Sequence, residues 1–115
     1  MFFTVVVTID GEEHRRAYSI ASPVQQSQQV DIVIKRIADG RVSGWLNENL
    51  RAGDTLQVLG PSGTFTLTPD VRQSRHLLLV GGGSGITPLM SILQSVLLAE
   101  SDTRIRLIYG NRGVD

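Results

Sequence analysis

Hydrophobic and polar positions follow a different pattern in each half of the chain. In the first half, segments rich in β-branched residues predict strands over 3–9 and 15–20, joined by the tight-turn pair Asp10-Gly11. An imperfect alternation of apolar and polar residues over 30–37 predicts a further half-buried strand. We therefore expect antiparallel β-structure in this half.

A short helix and another strand follow in the same half. Residues 44–50 predict the helix because their apolar side chains fall on one side, and Ser43 precedes it as a candidate N-cap. Residues 55–59 predict the strand, which ends at the turn Gly60-Pro-Ser-Gly63.

The second half has the pattern of a βαβ unit. The continuous apolar run over 77–80 predicts a parallel strand that is covered on both faces. Apolar residues at helical spacing over 89–97 predict an amphipathic helix, and alternation over 105–109 predicts a second strand. The polar residues over 68–75 predict a linker between the two halves.

We accordingly divide the chain into domains over 1–70 and 76–115. The 115 residues are 41% hydrophobic and 19% charged, which is typical of a globular protein. Eleven basic and eleven acidic residues balance, so we expect no nucleic acid and no membrane surface as a partner. The absence of cysteine excludes disulfides, thiol nucleophiles and cysteine-held metal sites, and we expect no metal. The sequence has no signal peptide and no apolar run of about 18 residues, which predicts a cytoplasmic domain.

The stretch Val80-Gly-Gly-Gly-Ser-Gly-Ile-Thr-Pro88 places four glycines between the predicted strand and helix. Backbone N–H groups at a helix N-terminus form a phosphate site, and glycines allow a pyrophosphate to lie directly on the backbone. The spacing matches neither the G-x-G-x-x-G fingerprint nor the P-loop. A glycine-rich turn without a ligand is the alternative.

The stretch Arg16-Ala-Tyr-Ser-Ile-Ala-Ser22 adds three kinds of binding group at the end of a strand. The arginine offers a fork for phosphate, the tyrosine a flat face for a ring system, and the serine a small hydrogen-bonding group. An ordinary strand with an exposed arginine is the alternative.

Together, these stretches resemble the flavin-binding reductases of the ferredoxin–NADP reductase superfamily. In that family an Arg-x-Tyr-Ser-x-x-Ser strand grips the flavin, and a Gly-Gly-Gly-Ser/Thr-Gly-Ile/Leu-Thr-Pro loop takes the nicotinamide dinucleotide. The sequence looks most like reductase components of bacterial oxygenases, such as the phenylacetyl-CoA epoxidase reductase type. Further matching segments are Ile34-Lys-Arg36, Gly40-Arg-Val-Ser-Gly-Trp-Leu46, Gly60-Pro-Ser-Gly-Thr-Phe65 and Tyr109-Gly-Asn-Arg112.

The resemblance implies roles on the flavin side. Arg16 would hold the flavin pyrophosphate, Tyr18 would lie against the isoalloxazine, and Ser19 would sit near N5, the atom that accepts hydride. Lys35 would line the flavin site. The diphosphate would also meet Gly40, Val42 and Ser43, and this turn favours FAD over FMN because it can take a second phosphate.

The resemblance also implies roles on the dinucleotide side. Thr87 would lie close to the place where nicotinamide and flavin stack, so Ser19 and Thr87 are the candidate catalytic residues. The dinucleotide would meet Gly82, Gly83, Gly85 and Thr87. Hydride transfer itself requires no acid–base residue, because the flavin does the chemistry.

The fold implied by the resemblance is an antiparallel β-barrel flavin domain that lacks its first strand, followed by the first βαβ unit of an α/β nucleotide-binding domain. The chain looks like a fragment of a longer reductase. The implied function is electron transfer from NAD(P)H through FAD to an iron–sulfur domain or ferredoxin, with an oxygenase component as a further partner. A non-catalytic subunit or fragment that binds flavin or nucleotide without turnover is the alternative, and a phosphate-binding domain of unrelated fold is a weaker one.

The choice between NADPH and NADH depends on the end of the second predicted strand of the βαβ unit. A carboxylate there accepts a hydrogen bond from the 2′-hydroxyl of NADH, whereas an arginine accommodates the 2′-phosphate of NADPH. Arg112 follows that strand, and Asp102 lies at its far end. The sequence therefore predicts NADPH, with NADH and a solvated Arg112 as the alternative.

Overall fold

The first half of the chain forms an antiparallel sheet. The computed structural model describes residues 1–26 and 28–112. Three strands, β1 (Phe2–Ile9), β2 (Glu12–Ser19) and β3 (Gln57–Ser62), lie in the order β2-β1-β3, and both pairings are antiparallel. The hairpin between β1 and β2 turns at Asp10 and Gly11, which both have positive φ, at 51° and 79°.

One face of this sheet carries the core of the first half. Val5, Val7 and Ile9 alternate along β1 and are buried against helix α1 (Arg41–Asn49). Partly buried side chains surround this cluster, namely Tyr18, Ile32, Ile34, Trp45 and Leu56. The predicted helix is thus confirmed, although it begins three residues earlier than the sequence pattern indicated.

The second half is a βαβ unit, as predicted. Strands β4 (His76–Gly82) and β5 (Arg104–Gly110) pair in parallel, and helix α2 (Ile86–Ala99) connects them after a 3₁₀ turn over Gly83–Gly85. Leu89, Ile92 and Val96 on α2 are buried, as their spacing indicated. No helix in the described residues is long and apolar enough to cross a membrane.

Two expectations about strands are wrong. The segment over 30–37 is not a strand, because its only ladder contact among the described residues is an isolated bridge between Ile20 and Ile32. The alternation of apolar and polar residues reflects packing of Ile32 and Ile34 on the core and not pairing within a sheet. Strand β4 is not covered on both faces, because Leu78 and Val80 are 60% and 64% exposed on the face away from α2.

Ser43 is not the N-cap of α1. The N-cap is Gly40, which makes no side-chain capping bond, and Ser43 lies inside the first turn with 6% exposure. Its hydroxyl accepts a hydrogen bond from the backbone N–H of Ile37 over 3.1 Å. The side chain therefore fixes the approach to the helix instead of capping it.

A buried carboxylate fastens the polar stretch over 68–75 to the C-terminal end of α2. Glu100 is 2% exposed, and it accepts hydrogen bonds from the Arg75 guanidinium, the Thr103 hydroxyl and the backbone N–H of Asp70. The hydrogen bonds from Arg75 are the main reason that the pKa of Glu100 falls from 4.5 to about 2. The predicted linker is thus held in place by an ionised side chain.

Candidate functional site

Arg16 and Tyr18 lie on the core face of the first sheet. The β1–β2 register places Arg16 opposite Val5 and Tyr18 opposite Phe3, and residues that face each other across a ladder share a face. Arg16 is exposed, and its Nη1 donates to the Arg15 carbonyl over 2.8 Å. A cation thus stands on the same side of the sheet as α1, with its charge open to solvent.

Tyr18 stands beside this arginine and is half-buried against the core. Burial raises the pKa of the Tyr18 phenol above its usual value, and the nearby charge of Arg16 lowers it in part. The phenol is therefore neutral at physiological pH and can donate a hydrogen bond. Ser19, the last residue of β2, points to the opposite face and is also half-buried.

The predicted residues at the N-terminus of α1 can offer only backbone groups to an anion. Val42 and Ser43 are 2% and 6% exposed, so their side chains are not available to a ligand. The first N–H groups of a helix have no intrahelical acceptor. A Cβ on Gly40 would overlap Ser43 Oγ and lie 2.9 Å from the Ile37 carbonyl oxygen, so the chain itself requires glycine there. A cleft of about 410 Å³ opens beside it, and its lining includes Arg36 and Arg41 together with the carboxylates Asp10, Asp39 and Glu48.

The glycines at the end of β4 and in the loop after it differ in whether the structure itself requires glycine. A Cβ on Gly81 would lie 2.6 Å from Leu89 Cδ1, so that glycine is required by the packing of α2 on the strand. Gly83 has φ +55°, which favours glycine. A Cβ on Gly83 or Gly85 would meet nothing within 4 Å, and one on Gly82 would make only an ordinary contact at 3.7 Å with the Gly110 carbonyl. The protein leaves open space above these three positions.

Two side-chain hydrogen bonds hold this loop in shape. The hydroxyl of Tyr109, at the end of β5, donates to the Gly83 carbonyl over 2.7 Å. The hydroxyl of Thr87 donates to the Ser84 carbonyl over 3.0 Å. No role was predicted for Tyr109, although its segment carries part of the family resemblance. Its place at the end of the strand next to the loop was the available signal.

Three of the predicted site residues meet in one cleft. Lys35, Gly83 and Arg112 line a space of about 490 Å³, together with Gly110 and Asn111. Two of these five lining residues are cations and none is acidic, which favours an anionic ligand. Lys35 belongs to the first half of the chain and the others to the second, so the cleft opens between the two halves.

A second and more apolar cleft of about 580 Å³ opens between the same halves. It is lined by Ile20 and Ser22 after β2 and by Pro88, Ser91 and Ile92 on α2, among others. The predicted residues of α1, namely Gly40, Val42 and Ser43, line neither of these two clefts. The structure thus separates a site near α1 from the space between the halves, and Arg16, Tyr18 and Ser19 line neither of the two clefts there.

Two family descriptions match the sequence. The oxidoreductase FAD-binding domain matches residues 1–67, and the oxidoreductase NAD-binding domain matches residues 79–115. Together the two matches cover nearly the whole chain, in the order predicted from the sequence.

Named relatives agree with these descriptions. One subunit of the 1,2-phenylacetyl-CoA epoxidase from Escherichia coli (strain K12) is 38% identical over 109 residues, 95% of this chain and 30% of that protein. The ferredoxin reductase component of 3-ketosteroid-9-alpha-monooxygenase from Mycolicibacterium smegmatis is 43% identical over 97 residues, 84% of this chain and 26% of that protein. The crystal structure of Amycolatopsis cytochrome P450 reductase GcoB has a TM-score of 0.80 and 31% identity, covering 98% of this chain and 34% of that one.

These likenesses confirm the predicted resemblance and the predicted fold class, an antiparallel sheet followed by the first βαβ unit of a nucleotide-binding fold. The chain spans between 26% and 34% of the length of the three proteins. Its donor groups fit a flavin dinucleotide and a nicotinamide dinucleotide. Each of these ligands carries a pyrophosphate, and the chain offers the exposed Arg16, the first turn of α1 and the open loop over Gly82–Gly85.

Proposed function

The chain belongs to the family of oxidoreductase FAD-binding domains, and on this premise we propose that it is the flavin and dinucleotide module of an NAD(P)H-dependent reductase. The observation that carries the proposal is the cleft of about 490 Å³ in which Lys35 of the first half meets Gly83 and Arg112 of the second. A hydride can pass only between groups held about 3–3.5 Å apart, so the two binding regions of a reductase must open on a shared space.

On the flavin side, Arg16 binds the pyrophosphate in this proposal, and Tyr18 packs against the face of the ring system. The exposure of Arg16 on the face that packs against α1 supports this, because the free N–H groups of that helix provide a second anion contact. Gly40, Val42 and Ser43 then contribute through their backbone alone, since the two side chains are buried. Ser19 stays the proposed contact near N5, and because its side chain points to the opposite face from Tyr18, it would reach the ring from the end of β2.

On the dinucleotide side, the pyrophosphate binds in this proposal to the backbone of Gly82, Gly83 and Gly85, because the space above these residues is open. Thr87 has its hydroxyl hydrogen turned to the Ser84 carbonyl, which leaves the oxygen as an acceptor for a carboxamide N–H. Arg112 is the proposed determinant of NADPH over NADH. When bound, FAD supplies the hydride-accepting and one-electron chemistry, and the protein contributes binding, orientation and exclusion of water.

The proposed electron acceptor is an iron–sulfur centre of a ferredoxin or of a further domain, in the service of an oxygenase. The names of two relatives support this, because one belongs to an epoxidase and the other is the ferredoxin reductase component of a monooxygenase. The domain limits at 1–70 and 76–115 and the cytoplasmic location stay predictions from the sequence.

One observation favours a second candidate, a module that binds flavin or nucleotide without turnover. The outer face of β4 exposes Leu78 and Val80 by 60% and 64%, and Ile108 on β5 is 54% exposed. Such a face is covered in a complete doubly wound sheet. A chain that covers about a third of its relatives can therefore bind flavin and still need further structure to hold the dinucleotide.

A flavin titration tests the binding part of the proposal. Adding the purified chain to FAD under anaerobic conditions is expected to quench the flavin fluorescence to saturation, and FMN is expected to bind more weakly because it lacks the adenosine phosphate. The same titration with Arg16→Ala reports whether the strand makes the contact, and Arg15→Ala is the matched control, because Arg15 pairs with Glu13 on the other face. Unquenched fluorescence with both flavins would refute the proposal.

A further inference from the structure

Three hydrogen bonds join the segment after β2 to the middle of α2, and a fourth lies within the helix. Ser91 Oγ donates to the Ser22 carbonyl over 2.7 Å, and the Val24 N–H donates to Ser95 Oγ over 2.9 Å. The Gln25 side-chain amide donates to the Ser95 carbonyl over 2.9 Å, and Ser95 Oγ donates in turn to the Ser91 carbonyl over 2.6 Å. We call Ser22, Ser91 and Ser95 the serine junction.

Two of the three serines in the junction are buried, and each of the three hydroxyls makes at least one hydrogen bond. Ser22 is 2% exposed and Ser95 is 0% exposed. Ser22 Oγ accepts the backbone N–H of Asp31 over 3.0 Å, so the junction also reaches the segment that leads to Lys35. The Ser95 hydroxyl both accepts and donates a hydrogen bond, so a shift of the segment against the helix would leave a buried donor or acceptor unsatisfied.

The two ends of the junction lie close to the two proposed binding regions. Ser22 is three residues after Ser19, a span of at most about 10 Å. Ser91 is five residues after Ile86, the first residue of α2, which is about 7.5 Å along the helix. The glycine loop is continuous with that first turn. The span from Ser19 to Ser22 is short, and the span from Ile86 to Ser91 is helical and therefore stiff. A displacement of α2 at the junction is therefore expected to displace the glycine loop as well.

We propose that the serine junction is a positioning device that sets the separation between the flavin strand β2 and the glycine loop. Ser91 and Ser95 are positioning residues in this account, because they act through the strand and the loop and touch neither ligand. The role in hydride transfer rests on the proposed function, whereas the role in fixing the two halves relative to each other does not. A misplacement of about 1 Å is enough to cost up to about a hundredfold in rate.

A distance measurement on the chain without ligands tests the geometric part. The sequence has no cysteine, so nitroxide labels at Thr8→Cys on β1 and Arg106→Cys on β5 report the separation of the two sheets by pulsed electron paramagnetic resonance. The parent is expected to give one narrow distance distribution, and Ser91→Ala/Ser95→Ala a broader or displaced one. Ser74→Ala/Ser101→Ala is the matched control, because both serines are exposed, and it is expected to match the parent.

Two further variants keep the test decisive. If the double variant does not fold by circular dichroism, Ser91→Ala alone takes its place, because Ser91 is only half-buried. Ser91→Thr retains the hydroxyl and is expected to restore the parent distribution. A folded Ser91→Ala variant with the parent distribution would overturn the proposal.

Comparing the rate of flavin reduction with the two dissociation constants tests the link to hydride transfer. In the junction variant, the rate of flavin reduction by NADPH is expected to fall about tenfold or more, with the dissociation constants for FAD and NADPH unchanged. A merely structural role would instead lower stability and both affinities together. If the parent itself shows no flavin reduction, the proposed function fails, and the distance distributions still decide whether the junction fixes the two halves.

Discussion

The hydroxyl of Tyr109 donates a hydrogen bond of 2.7 Å to the carbonyl oxygen of Gly83. The bond joins the end of β5 to the one glycine of the loop that has positive φ, at +55°. It therefore holds the loop from the neighbouring strand, at the position where the backbone departs most from ordinary conformations.

Removing this bond is expected to loosen the loop without affecting the flavin side. In Tyr109→Phe the Gly83 carbonyl loses its partner, a net cost of about 0.5–1.5 kcal/mol. If the loop binds the dinucleotide, its dissociation constant should rise about two- to tenfold at ~1.4 kcal/mol per decade. Isothermal titration with NADPH measures the change. Tyr18→Phe is the contrasting variant, and equal effects of the two on NADPH would contradict the assignment.

Arg16→Ala is expected to weaken flavin binding. A charge-assisted hydrogen bond to phosphate is worth about 1.5–3 kcal/mol, which corresponds to about ten- to a hundredfold in affinity. Fluorescence titration with FAD measures it. Arg15→Ala, which removes the neighbouring exposed arginine, should leave the affinity unchanged. An Arg16→Ala variant with the parent affinity would show that the strand does not hold the pyrophosphate.

Arg112→Ala is expected to lower the preference for NADPH over NADH. The guanidinium stands in the cleft with Lys35 and Gly83, where it can pair with a 2′-phosphate and has no counterpart on NADH. The ratio of the two dissociation constants should change by about tenfold or more. Arg106→Ala is the control, because Arg106 is an exposed arginine within β5, the strand that Arg112 follows. An unchanged ratio of the two dissociation constants would contradict the predicted preference for NADPH.

Acid is expected to destabilise the chain through Glu100. Its pKa in the folded protein is about 2, lower than the ordinary 4.5, so its contribution to the free energy of unfolding is complete above about pH 4.5 and is lost as the pH falls towards 2. Glu100→Gln should lower the urea midpoint at pH 7 and flatten its decline over that window. Glu48→Gln removes an exposed partner of Arg36 and should change little. Equal acid sensitivity of Glu100→Gln and the parent would contradict the assignment.

Periodicity and turn chemistry were enough to predict most of the elements. The β-branched residues of β1, the helical spacing in α2 and the turn at Asp10 and Gly11 are local patterns, and each was found where the sequence indicated. Alternation did not predict pairing over 30–37. Ile32 and Ile34 do pack on the core, but a strand also needs a neighbouring strand to pair with, and the segment has only an isolated bridge.

The contacts that join the two halves could not be predicted from the sequence. Ser22 and Ser91 are 69 residues apart, and a lone serine carries no signal of its distant partner. The same holds for Arg75 and Glu100, which are 25 residues apart. For the candidate site, motifs indicated which residues carry suitable chemistry. Only the fold showed that Lys35, Gly83 and Arg112 share one cleft, whereas the Ser43 hydroxyl accepts a hydrogen bond from the backbone N–H of Ile37.

Anaerobic reduction of the flavin-loaded chain tests the central claim most directly. The purified chain is saturated with FAD, freed of excess flavin and mixed with NADPH or NADH, while the flavin absorbance is followed in time. The account predicts a yellow protein that bleaches, faster with NADPH, because Lys35 of the first half shares one cleft with Gly83 and Arg112 of the second. A yellow protein that keeps its colour with both nucleotides would contradict the account and favour a binding module without turnover, and a colourless protein would contradict both.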